Sequence, residues 1–121
     1  MLKISAEQLD LLSVEEEEGY RARLVAFLGK EFPRATRALG APEVVSLVAR
    51  QVARARHHGL TSERQLAQFA VLALMFGEGF EERFAWAEAA LSRDETRTPA
   101  ERLEDLTHVA ERQLRDATHR D

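Results

Sequence analysis

The sequence predicts an all-α fold, a compact single-domain bundle of five main helices plus one short helix spanning residues 1–121. Three observations carry this. Ala, Leu, Glu and Arg, all good helix formers, dominate the chain. β-Branched residues are sparse, and no stretch alternates apolar and polar residues with period two. Apolar residues instead recur every three or four positions in segments closed by Gly or Pro.

Taken in order, Ser5 followed by Gln8 has the form of a capping box. It opens a helix with Leu9, Leu12, Tyr20, Leu24, Phe27 and Leu28 on its apolar positions. That helix must stop before Pro33, because proline pushes the preceding residue out of the helical region. "PRATRALG" reads as a short helix ending at Gly40. Pro42 suits a first helical position, and Val44, Val45, Val48, Val52 and Ala55 follow at helical spacing. The corner "HHGLTSERQL" ends one helix at Gly59 and caps the next with Thr61 or Ser62, while Leu60 pins the turn. The helix over 62–76 is apolar nearly all round, which places it at the centre of the fold. "FEERFAWAEAALS" predicts one further helix with Phe80, Phe84, Ala87 and Leu91 on a stripe. The loop "SRDETRT" then leads to Pro99 and a last helix that buries Leu103, Leu106, Val109, Ala110 and Leu114.

Composition narrows the function classes. There is no cysteine, so disulfides, thiolate nucleophiles and cysteine-ligated zinc are excluded. The first residues lack a signal-peptide pattern, and "FAVLALMF" is far shorter than the roughly 20 residues that span a bilayer. A soluble cytoplasmic protein without membrane contact is expected. Charge is unevenly spread: residues 1–18 carry −5, residues 19–64 carry +6, and the rest is acidic again within a total of −4. Opposed segments of this kind pair within the fold, pair between copies as a homodimer, or stay as solvated faces.

The candidate chemistry is thin. His57 and His58 are adjacent and diverge by about 100° on a helix, while His108 and His119 are eleven residues apart. No metal site is expected. "EEEE" spreads round a helix, Glu81–Glu82 and Glu104–Asp105 are neighbours that do not face each other, and Ser46 and Ser62 have no basic partner. No catalytic residues, cofactor or enzymatic activity follow from these. A helix-turn-helix reader of DNA would use the 57–66 corner, with Arg50, Arg54, Arg56 and Arg64 near it. The second helix offers only Glu63, Arg64, Gln65 and Gln68 before turning apolar, and net acidity opposes phosphate binding. Trp86 lies off the Phe76, Phe80, Phe84 stripe, so it either wraps onto a neighbouring helix or anchors a partner.

Three stretches carry a resemblance: "FLGKEFPRATRALG", "ARARHHGLTSERQLAQFAVLALMFGEGFEE" and "RTPAERLEDL". In this order they resemble an uncharacterised family of short helical bacterial proteins found beside type VI secretion and related contractile-injection genes. The family often places an acidic stretch and a proline pair before its tryptophan, where this chain has "EGFEERFAW" with no proline. The resemblance supplies no active residues. It implies a small accessory, adaptor or chaperone-like protein that binds another protein, a secretion effector or a component of the machine. The expected contact residues are Trp86 as anchor, Glu15, Glu16, Glu17 and Glu18 as one rim, and Arg50, Arg54 and Arg56 as the other. A helix-turn-helix regulator and an immunity protein against a secreted toxin are the alternatives.

Overall fold

The computed structural model describes residues 14–93 and 96–119, with side-chain surroundings from Glu17 to Ala117. Those residues form seven helices and no strand: α1 (Val14–Glu31), α2 (Pro33–Leu39), α3 (Ala41–His57), α4 (Glu63–Phe76), α5 (Phe80–Arg83), α6 (Ala85–Leu91) and α7 (Pro99–His119). The proposed Ser5–Gln8 cap lies outside the described residues. The chain divides into two compact units, one ending at Glu78 and the other beginning at Gly79.

In the first unit, α3 packs on α4, and α1 packs on α2, α3 and α4. α1 stops at Glu31 for the reason its sequence gives: Phe32 (φ −130°, ψ 59°) turns the chain ahead of Pro33. Tyr20, Leu24 and Leu28 are buried along α1, as are Val44, Leu47, Val48, Val52 and Ala55 along α3. Val45 departs from the expected stripe and is exposed. It directly follows Val44, so when Val44 turns inward Val45 points about 100° away. Along α4, Leu66, Ala67, Phe69, Ala70, Leu72 and Ala73 are buried while Met75 is exposed.

The α3–α4 corner is closed by local chemistry. Gly59 takes a positive φ of 85°, a conformation that costs glycine little. Leu60 is fully buried beneath it. Ser62 accepts from the Gln65 amide at 3.1 Å, and the Gln65 side chain accepts from the Ser62 and Thr61 amides at 3.1 and 2.9 Å. Such a box contributes about 1 kcal/mol. Two side chains of α1 then reach the start of α4. The Tyr20 hydroxyl donates to the Glu63 carbonyl at 2.6 Å, and Arg23 Nη2 donates to the buried Glu63 carboxylate at 2.7 Å.

In the second unit, α6 packs on α5 and α7. Phe80, Ala87, Ala90, Leu91, Leu103, Leu106 and Ala110 are buried. The single helix expected over 80–92 is instead two, broken at Phe84 (φ −101°, ψ 123°) and ending at Leu91. The Phe84 amide closes α5 on the Phe80 carbonyl at 3.0 Å, and its own carbonyl accepts from the Ala87 and Glu88 amides at 3.0 Å. One extended residue thereby ends one helix and starts the next. The gain lies in the rings: Phe84 and Trp86 stack with centroids 5.4 Å apart and planes 22° from parallel. In a continuous helix, side chains two apart diverge by about 200° and cannot meet. Thr98 and Glu101 exchange side-chain bonds with each other's amides at 3.1 and 2.8 Å, a capping box at the start of α7. Arg97 spans the Ala90 and Ser92 carbonyls and the Asp105 carboxylate at 2.7–3.1 Å, which satisfies the end of α6.

Two glycines separate steric room from backbone conformation. A Cβ at either Gly29 or Gly40 would meet nothing within 4 Å, but only Gly40 has a positive φ, at 89°. Gly29→Ala is therefore expected to stabilise the protein by about 0.5–1 kcal/mol, through helix propensity and unfolded-state entropy. Gly40→Ala is expected to cost about 1–3 kcal/mol from backbone strain. Urea denaturation of the two variants checks this; equal effects, or destabilisation by Gly29→Ala, would refute it.

Candidate functional site

Trp86 sits in the first turn of α6 and is half-buried. One face of its indole is taken by Phe84, itself half-buried, and the guanidinium of Arg83 stands 5.6 Å from the Phe84 ring centroid. Ala85, Glu88 and Ala89 on the same short helix are exposed, as are Glu82 and Arg83 before the break. The result is an aromatic pair at the surface of the second unit, in a setting of small and charged side chains. The pair is worth about 0.5–1.5 kcal/mol beyond the area it buries, and the indole keeps accessible surface.

The two charged rims lie in the first unit, and they meet. Glu17 pairs with Arg56 Nη1 at 2.7 Å, joining the acidic start of α1 to the end of α3. Glu18 is exposed, and Glu15 and Glu16 belong to the first turn of α1, with side chains outside the described ones. Arg50 donates from Nε and Nη2 to Glu78 at 2.7 and 2.5 Å, and from Nη2 to Glu43 at 2.7 Å. Arg54 is half-buried, and its charge is close enough to act on Glu78. Arg50 and Arg56 therefore already hold carboxylates of their own chain.

The corner at 57–66 is occupied with its own structure. The His57 and His58 rings meet edge to face with centroids 5.7 Å apart, and His58 lies 5.7 Å from the Phe69 ring. Of the side chains that opened the expected groove-reading helix, Glu63 is buried and Gln65 serves the cap. Gln68 is half-buried and Arg64 alone is exposed. Among the described residues, no group of three or more His, Asp or Glu is arranged to hold a metal ion. Along α7, Asp105, His108, Val109, Glu111, Arg112 and Arg115 line a shallow, open groove of mixed charge.

No family model matches the chain, and no curated protein or solved structure is similar to it. The geometry therefore stands on its own. No helix among the described residues is long and apolar enough to cross a membrane.

Sequence reasoning missed the buried polar groups. Glu63, Gln51, Glu81 and Arg102 are all buried. Burial is the first cause that raises the Tyr20 hydroxyl well above its usual range; the Glu63 charge adds to this and Arg23 opposes it. Gln51 is fully buried and donates from Nε2 to Glu78 at 3.1 Å. Gln51 and Arg102 stand three or four residues from buried apolar positions, Leu47, Val48 and Ala55 for the one and Leu106 for the other, so spacing offered a signal that their polar type masked.

Hydrogen bonding from Arg50 holds the Glu78 carboxyl below the usual carboxylate range, with the Arg50 charge, the Gln51 amide and the Arg54 charge adding to it and partial desolvation opposing. A carboxyl depressed in the folded state adds stability that is complete above its unfolded pKa, near 4. That stability is lost as pH falls through the depressed folded value. Below pH 4, Glu78→Gln is thus expected to flatten the acid limb of the stability curve. Urea midpoints over a pH series test this, and an unchanged limb would contradict it.

Proposed function

We propose that this chain is a non-enzymatic protein–protein interaction module. In this reading it works in the cytoplasm as an accessory, adaptor or chaperone-like component of a bacterial type VI or related contractile secretion system. Its partner would be a secretion effector or a component of the machine. The 62–76 helix serves as the apolar element on which the fold is assembled.

The observation that carries the reading is the half-buried Trp86, stacked on Phe84 at the break between α5 and α6. Tryptophan is enriched among residues that dominate binding energy, because it offers a large rigid contact area at small entropic cost. Stacking on Phe84 fixes the ring before any partner arrives, and such preorganisation lowers the cost of association. The exposed Glu82, Arg83 and Glu88 supply charged surroundings at the edge. Docking of this kind needs contact surface and no reacting group. The resemblance to proteins encoded beside contractile-injection genes supports the choice of partner class.

The test compares capture by the tagged chain and by its Trp86→Ala form in a host that carries such a secretion system. Partners are identified by mass spectrometry. The parent is expected to retain an effector or machine component, and Trp86→Ala to lose it by tenfold or more while circular dichroism shows the same helix content. Equal capture by both forms would remove Trp86 as the anchor. A loss of cooperative unfolding in Trp86→Ala would make the indole a core residue.

A further inference from the structure

The basic side chains of the first unit fall into two sets. Arg23, Arg50 and Arg56 each hold a carboxylate of the chain at 2.7 Å. Lys30, Arg34 and Arg37 are exposed and hold none among the described residues. They stand at the end of the unit where α1 stops, α2 runs its short course and α3 begins. Glu31 is the only acidic residue between Gly19 and Pro42, and it is exposed without pairing to any of the three.

Thr36 fixes which way α2 faces. It is buried, and its Oγ1 donates to the Phe32 and Pro33 carbonyls at 3.0 and 3.3 Å. With Thr36 turned inward, Arg34 lies about 200° round the helix from it and Arg37 about 100°. Arg34 stands in a first turn that holds no acidic residue, at the positive end of the helix dipole, where a cation is unfavourable. Arg37 follows at i+3, a spacing at which like charges are neighbours on the helix surface and repel. The fold therefore gains nothing from this pair. Two large apolar side chains of the same stretch are also left open, Leu39 at the end of α2 and Val45 in the second turn of α3, on which α2 packs.

We propose that this end of the first unit, through Lys30, Arg34 and Arg37 with Leu39 and Val45, is a docking surface for an acidic, leucine-bearing segment of another protein. Charge complementarity selects the carboxylates, since these cations have no internal partner among the described residues to give up on binding. The two open apolar side chains select a peptide over a nucleic acid, whose phosphate backbone would leave them unused. The net charge of −4 also opposes the long-range attraction on which phosphate binding depends. The surface lies wholly within the first unit, and the proposal is independent of the partner assigned to Trp86.

The test titrates the full chain into a fluorescein-labelled peptide of repeating Glu-Glu-Leu and reads fluorescence anisotropy at low salt. The same peptide with Ser in place of Leu, and a short DNA duplex, are the comparison probes. The parent is expected to bind the Glu-Glu-Leu peptide more tightly than either, and less tightly as salt rises. Arg34→Ala combined with Arg37→Ala should weaken binding roughly fivefold, the loss of two exposed charge contacts, while the urea midpoint stays the same or rises. Leu39→Ser should weaken it too, and Arg64→Ala, which removes an exposed arginine of α4, should leave it unchanged. No binding by the parent, or an equal loss in Arg64→Ala, would overturn the proposal. So would a lowered urea midpoint in the double variant, which would show that the charges serve the fold. Tighter binding of the duplex would assign the cations to phosphate and overturn it as well.

Discussion

Burial of the Glu63 carboxylate at the first residue of α4 is the constraint on which the first unit depends. A carboxylate taken out of water costs several kcal/mol unless it is paired and hydrogen-bonded. Here Arg23 pairs with it at 2.7 Å, while Tyr20 donates to the carbonyl of the same residue at 2.6 Å. Both come from α1, about forty positions earlier in the chain. α1 therefore cannot shift along the α3–α4 hairpin without stranding a buried charge. Apolar contacts through Leu24, Leu28, Val48 and Leu66 supply most of the burial. They do not by themselves select one register, because neighbouring apolar side chains of similar volume are exchangeable. The clasp does select one. Its partners are unequal: Arg23 keeps about half its surface in water and Glu63 almost none, so the cost of separation falls on Glu63.

What was legible in the sequence follows from the range of the interactions involved. Gly59, Leu60 and Ser62 with Gln65 sit within seven positions of each other. The choice of Ser62, the part of Gln65 and the burial of Glu63 came only with the structure. The chemistry of turn, plug and cap is otherwise local, so the turn at Gly59, the plug at Leu60 and a cap at Thr61 or Ser62 could be read. Pro33, Gly40 and Pro99 bounded helices for the same reason. Trp86 stood out because it lies off the apolar stripe. Its neighbour Phe84 did not: it fits a continuous helix by spacing, whereas the structure breaks the helix there and stacks its ring on Trp86. Glu63, Gln51 and the Arg50 grip on Glu78 join residues 27 to 43 positions apart. Such pairs are set by packing, and nothing at either end marks them.

The same distinction shapes the functional reading. Charge runs in the sequence suggested two rims facing a partner, yet Glu17 with Arg56, and Arg50 with Glu43 and Glu78, are closed within the chain. Exposed ion pairs of this kind contribute little to stability each. Their value lies in direction, holding α1 to α3 and the end of the first unit to α3. In the proposed reading the contact surface is therefore aromatic and small, centred on Trp86 rather than on the charge runs.

The most direct measurement of the central constraint is a double-mutant cycle between Arg23→Ala and Glu63→Gln, read from urea unfolding. If burial of Glu63 depends on Arg23, the two changes are strongly coupled, by at least about 1 kcal/mol. Arg23→Ala then costs more in the parent chain than in the Glu63→Gln background, where the buried group is a neutral amide. Effects that simply add, within about 0.5 kcal/mol, would contradict the clasp.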